Sequence, residues 1–121
     1  MIKYIDVKKI YPGNIIALDG VSFDIDEGEF TFLVGPSGAG KSTLIRLLVK
    51  QETPTTGDIV FEDVSVPTIP NKLLSIYRQQ LGIVFQDLKL IPSKTVQENI
   101  QFALEISGKH KNEVFETTQY L

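Results

Sequence analysis

Gly35-Pro36-Ser37-Gly38-Ala39-Gly40-Lys41-Ser42-Thr43 is the stretch of this chain whose residue types and spacing can do chemistry. It fits G-x-x-x-x-G-K-[ST], with Gly35 and Gly40 as the fixed glycines, then Lys41 and Ser42. The spelling follows from how a polyphosphate is held. Backbone N–H groups must converge on it, and glycines let the chain curl that closely with no Cβ in the way. A helix starting at the loop would aim its positive dipole end at the phosphates. Lys41 would reach the β- and γ-phosphates, and the Ser42 hydroxyl would take one position on Mg²⁺.

Such a loop works only between the right elements. Phe30-Thr31-Phe32-Leu33-Val34 before it is an apolar, aromatic and β-branched run of strand length. Leu44, Ile45, Leu47, Leu48 and Val49 after it are interrupted only by Arg46 and predict a mostly buried helix. Strand, glycine loop and helix are the setting the motif requires.

The remaining composition narrows the classes. The 121 residues suffice for at most one ordinary domain, or part of a larger one. A hydrophobic content of 42% suits a globular core. No apolar run reaches bilayer-spanning length and the first residues carry no secretory signal, so a cytosolic location is expected. With no cysteine, disulfides and thiolate metal sites are excluded. A formal charge of −3 without a basic stripe argues against a nucleic-acid partner. His110, amid Gly108-Lys109-His110-Lys111-Asn112, reads as a solvated loop residue.

In order, residues 2–11 predict a first strand and Pro12-Gly13-Asn14 a turn. Ile15 to Leu18 continue as strand, Asp19-Gly20 is expected to turn it, and Val21, Phe23 and Ile25 alternate with polar residues. Beyond the first helix, Asp58 to Val66 predicts a strand, and Asp63 within it reads as a turn acid. A helix of about ten residues follows Pro70. Leu81 to Phe85 reads as a second buried strand ending at Gln86-Asp87, and a loop with Pro92 follows. Thr95 opens a helix with Glu98 in a capping box. Its inner face would hold Ile100, Ala103 and Leu104, with Ser107 at the end. Another helix would begin within Asn112 to Leu121. Together these imply an α/β fold: an antiparallel meander flanking a largely parallel central sheet with helices around it.

Phosphate-loop proteins differ in what they add. A GTPase would carry Asn-Lys-x-Asp, and Asn71-Lys72-Leu73-Leu74 lacks the aspartate. A kinase-like ATPase would place an aspartate at the end of a buried strand; Asp63 and Asp87 imitate this without directly following four apolar residues. Tyr11, residues 35–43, Arg78-Gln79-Gln80-Leu81-Gly82-Ile83-Val84-Phe85-Gln86 and Thr95-Val96-Gln97-Glu98-Asn99-Ile100 resemble, in order and spacing, the nucleotide-binding domain of ABC transporters. Within that superfamily, Val84 to Pro92 and Phe102-Ala103-Leu104-Glu105 look most like the bacterial cell-division ATP-binding proteins of the FtsE type. ATPases of lipoprotein-release or macrolide-type exporters are the alternatives.

The resemblance implies ATP and Mg²⁺ as ligands. Tyr11 would stack on adenine, a sequence-tolerant contact; the alternative is an ordinary strand-end tyrosine. Gly35, Pro36, Ser37, Gly38, Ala39, Gly40, Lys41, Ser42 and Thr43 would hold the phosphates, with Ser42 and Gln86 at the metal. Gln86, otherwise readable as a polar strand cap, would position water and Mg²⁺, since its amide both donates and accepts. The Gln86–Pro92 region would face a membrane protein resembling FtsX, placing the chain in the cytoplasm, peripheral at the inner face of the membrane. A head-to-tail homodimer is implied for the full-length family. Residues 1–34 and 57–66 would be the strand-rich part of one such domain. Residues 35–50 would form the phosphate loop and helix, 81–92 the glutamine strand and loop, and 95–121 the start of a helical subdomain.

Residues 87–121 contain no Leu-Ser-Gly-Gly signature, no four-residue apolar run ending in Asp-Glu, and no switch histidine after a later strand. The chain alone is therefore expected to grip ATP without the general base that activates water. An unpaired apolar sheet edge and marginal stability are expected as well.

Overall fold

The computed structural model describes residues 1–87, 89–109, 113–114 and 117–118. They fall into two compact units, Met1–Ser75 and Ile76–Leu121.

The first unit is built on a four-stranded sheet, β1 (Ile2–Tyr11), β2 (Ile15–Ile25), β3 (Thr56–Phe61) and β4 (Val64–Ser65), in the order β2-β1-β3-β4. Every pairing in it is antiparallel. Pro12–Asn14 closes the first hairpin, with Gly13 and Asn14 at positive φ. Glu62 and Asp63, at φ 45° and 66°, close the β3–β4 hairpin. Positive φ at both positions of a two-residue loop matches the right-handed strand twist, so Asp63 is a turn acid, and the single strand expected over Asp58 to Val66 is instead a hairpin folded at this turn.

The turn expected at Asp19-Gly20 is instead a bulge within one continuous strand. The register slips between Tyr4↔Phe23 and Val7↔Val21, and Asp6 takes φ 45°. The Asp6 N–H donates to the Ser22 hydroxyl at 2.8 Å. Gly57 on the other side lies so close that a Cβ there would run into the Asp6 carbonyl. Bulges of this kind bend and twist a sheet without ending it.

Helix α1 (Lys41–Leu48) packs its Leu44, Leu47 and Leu48 inward, where Tyr4, Val7, Leu18, Ile59, Val66 and Ile69 are also buried. The Tyr4 hydroxyl donates to the Leu44 carbonyl at 3.0 Å, and the Tyr4 ring stacks on Phe23 with centroids 4.5 Å apart. At the helix end the Gln51 N–H reaches the Arg46 carbonyl at 2.9 Å and Lys50 N–H the Leu47 carbonyl at 3.0 Å. Lys50 sits at φ 50°, a Schellman ending with lysine where glycine is usual. Its ammonium donates to the Ile69 carbonyl.

Two expected strands are not formed. Residues 30–34 and 81–85 carry no ladder among the described residues, and the parallel sheet expected around the loop is absent from them. Phe30 and Phe32 are 81% and 77% exposed, and Val84 93%. A strand leaves its N–H and C=O groups to be satisfied by neighbours, and here none lies alongside. The unpaired sheet edge expected here is therefore not formed; the stretch is instead exposed apolar chain without strand structure.

Helix α2 (Leu74–Gln79) starts in the first unit and continues into the second with the buried Tyr77, and α3 (Val96–Ile106) follows a loop. Burial pushes the Tyr77 phenol up to about 12. The Thr95 hydroxyl accepts the Glu98 N–H at 3.2 Å, and the Glu98 carboxylate accepts the Thr95 N–H at 2.7 Å, completing the capping box. The latter bond holds the Glu98 carboxyl below its ordinary range. On α3, Ile100 and Leu104 are half-buried, whereas Ala103 and Ser107 are exposed. Of the helix expected within Asn112–Leu121, only Glu113, Val114, Thr117 and Thr118 are described, all helical. His110 lies outside the described residues.

Candidate functional site

The loop between Val34 and α1 is shaped by its own residues. Gly38 and Gly40 take φ +82° and +86°, a region that a Cβ penalises. Gly40 is doubly constrained, since a Cβ would fall 2.5 Å from the Ala17 carbonyl oxygen and 2.7 Å from Leu18 Cδ2. That close approach seats the start of α1 against β2. The Ala39 N–H donates to the Pro36 carbonyl at 3.2 Å, tightening the loop.

Gly40 is also the N-cap of α1, and no side chain caps the helix there. The first N–H groups of a helix otherwise need a partner, and with the helix dipole they favour an anion. Lys41 folds back over the loop, its ammonium donating to the carbonyls of Gly35 at 2.7 Å and Pro36 at 2.6 Å. Ser42 is exposed at the second helical position, while Thr43 is 8% exposed and lies on the packed side. Ser37, Gly38 and Ala39 are exposed. A cation, an uncapped helix start and a glycine-shaped backbone therefore meet in one place, an arrangement suited to phosphate. Among the described residues no three or more His, Cys, Asp or Glu side chains group as a metal site.

Tyr11 ends β1, paired with Ile15 across the first turn. Its ring is half-buried, and its hydroxyl is enclosed without a hydrogen-bond partner among the described residues. Lys9 Nζ stands 5.0 Å from the ring centroid.

Gln86 belongs to the second unit, in an exposed turn with Asp87. It does not cap a strand, because 81–85 forms none. Lys89 Nζ donates to the Asp87 carboxylate at 2.5 Å, which holds that carboxyl below its usual range. The following loop is fastened by Asn99. Its Oδ1 accepts the Ile91 N–H at 2.8 Å, and its Nδ2 donates to the carbonyls of Ile91, Lys94 and Thr95. The sequence assigns no separate role to Asn99, Lys9 or Glu52. An asparagine four residues after an N-cap has no distinctive spelling, and its partners are backbone groups.

Comparison with known proteins agrees with this arrangement. The family model described as ABC transporter matches residues 18–120. The chain is 47% identical over 109 residues to the cell division ATP-binding protein FtsE of Bacillus subtilis, covering 90% of this chain and 48% of that protein. It is 41% identical over 124 residues to a methionine import ATP-binding protein, MetN 2, of Lactiplantibacillus plantarum, covering 100% of this chain and 36% of that protein. The chain thus spans about half the length of the FtsE relatives it matches, and less of the methionine-import ones. A solved dimeric ATP-binding cassette in a post-hydrolysis state, bound to ADP and Pi, superposes with a TM-score of 0.87 at 31% identity. It covers 99% of this chain and 55% of that one. These likenesses establish the phosphate-loop α/β fold of the ABC cassettes.

Proposed function

The chain belongs to the ABC transporter family, and from that premise we propose that it binds Mg-ATP as the amino-terminal part of an ABC-type nucleotide-binding domain. The observation that carries this is Lys41, whose ammonium rests on the Gly35 and Pro36 carbonyls beside a helix start that no side chain caps. Phosphate oxygens are stronger acceptors for a lysine than neutral carbonyls, so nucleotide would draw the ammonium outward. The backbone of residues 35–43 would cradle the phosphates. The Ser42 hydroxyl would be a protein ligand to the Mg²⁺ that accompanies the nucleotide, whose charge helps neutralise the phosphates. Tyr11 would stack on the adenine. Residues 1–34 and 57–66 would serve as the strand-rich part, 35–50 as phosphate loop and helix, 81–92 as the glutamine segment and 95–121 as the start of a helical subdomain.

The FtsE-type relatives support a coupling role. ATP binding would be passed to a membrane protein resembling FtsX through Gln86–Pro92, where Gln86, Asp87, Lys89, Leu90 and Pro92 are all exposed. The protein would then sit in the cytoplasm, peripheral at the membrane's inner face. No helix among the described residues is long and apolar enough to cross a membrane. The dimeric state of the solved relative supports a dimer, which the family resemblance would make a head-to-tail homodimer in full-length members.

A second reading is a nucleotide-binding module that does not hydrolyse, favoured by the lack of an Asp-Glu strand end in residues 87–121. Phosphate release from Mg-ATP separates the two. For this chain alone we expect binding without turnover. Turnover that disappears in Lys41→Ala would overturn the non-hydrolysing reading, and absence of ATP binding would overturn both.

A further inference from the structure

Lysines on strand surfaces usually keep their ammonium free in water; Lys9 does not. Its side chain is 12% exposed, with Nζ 2.9 Å from the Glu52 carboxylate and 2.9 Å from the Thr53 carbonyl. Neighbouring bonds stitch the same region together. The Thr55 N–H donates to the Lys8 carbonyl at 2.7 Å, and the Ile10 N–H donates to the Thr55 hydroxyl at 3.0 Å. Tyr11 is the next residue, immediately before the turn. Its hydroxyl has no hydrogen-bond partner among the described residues, and the Lys9 ammonium stands over one face of its ring.

From this geometry we infer that Lys9, anchored by Glu52 and Thr53, is a positioning residue that presents one face of Tyr11 to the nucleotide base. The inference rests on the reading of Tyr11 as the base-stacking residue. A flexible lysine pinned at two acceptors has already lost its rotamer freedom, so the cation–π contact holds the ring at little further entropic cost. The covered face is closed to a base, which leaves the opposite face for stacking. Lys9 then acts on base recognition and not on phosphate, because its ammonium is already engaged by Glu52 and Thr53.

The test compares binding of Mg-ATP with binding of Mg-tripolyphosphate, which has no base, to the full chain. Lys9→Met should weaken ATP binding by about three- to tenfold, the range for a partly desolvated cation–π contact, and leave tripolyphosphate binding unchanged. Unchanged tripolyphosphate binding also shows that the phosphate loop is folded in the variant. Lys9→Arg should recover ATP binding to within about twofold, since guanidinium also stacks on aromatic faces. In a Tyr11→Ala background, Lys9→Met should have no further effect. Equal weakening of both ligands, or no weakening of ATP, overturns the inference while leaving the phosphate site standing. Wild-type chain that binds both ligands equally well removes the stacking role of Tyr11 and the inference with it.

Discussion

The two apolar stretches that flank the phosphate loop have opposite fates. Leu44 to Leu48 forms a helix and buries three leucines, whereas Phe30 to Val34, equally apolar, stays irregular with both phenylalanines more than three-quarters exposed. Hydrophobicity does not distinguish them. The helix closes its hydrogen bonds within itself, so it needs neighbours only for its side chains. A strand needs neighbours for its backbone too. The loop between them follows the helix: Gly38, Gly40 and Lys41 are placed by local dihedrals, by the seat of Gly40 on Ala17, and by two short lysine hydrogen bonds.

The contrast can be broken most directly by truncation. Leu47→Ala, at a side chain 1% exposed, should cost about 2–5 kcal/mol in denaturant unfolding. Phe32→Ala, removing a larger side chain at 77% exposure, should change stability by less than about 0.5 kcal/mol. It should, however, reduce light scattering from self-association, because the removed ring is part of the exposed apolar stretch. Comparable unfolding costs at the two sites would show that residues 30–34 are packed in solution.

Gly40→Ala sharpens the comparison at the loop. Strain at φ +86° and the approach to the Ala17 carbonyl together should cost about 2–4 kcal/mol. Gly13→Ala is the control. It shares a positive φ but has nothing within 4 Å of an added Cβ, so it should cost only the dihedral part, about 1–2 kcal/mol. Equal costs in denaturant unfolding would mean that the seat on β2 contributes nothing.

A smaller, pH-dependent effect belongs to the second unit. Burial raises the Tyr77 phenol to about 12 from an ordinary 10.0, so between these values the folded chain keeps a proton that the unfolded chain gives up. Stability from this group is complete below about pH 10 and falls as pH rises toward 12. Tyr77→Phe should flatten that alkaline decline, measured as the thermal midpoint from pH 9 to 11.5.

What was legible in the sequence was what is decided locally. The glycine loop leading into α1, the turn at Asp63 and the Thr95–Glu98 capping box each depend on a few consecutive residues, and each is formed. Asp19-Gly20 misled because glycine supplies positive φ equally to turns and to bulges, and only the Asp6 partner across the sheet decides which. Residues 30–34 and 81–85 depart from the strands expected of them for the reason that separates them from α1. The Asn99 fastening and the Lys9–Glu52 anchor escaped notice because they join residues that sequence spacing does not connect.

The central claim is that the phosphate loop of this chain is formed and takes Mg-ATP through Lys41. Its most direct test is the thermal midpoint of the 121-residue chain, with and without Mg-ATP, beside Lys41→Ala. A ligand that binds only the folded state stabilises it, by about 2.7 kcal/mol at a hundredfold excess over Kd. The account predicts a rise of several degrees in the parent chain and none in Lys41→Ala. A cooperative melt that Mg-ATP does not move, or one that it moves equally in both chains, would contradict it.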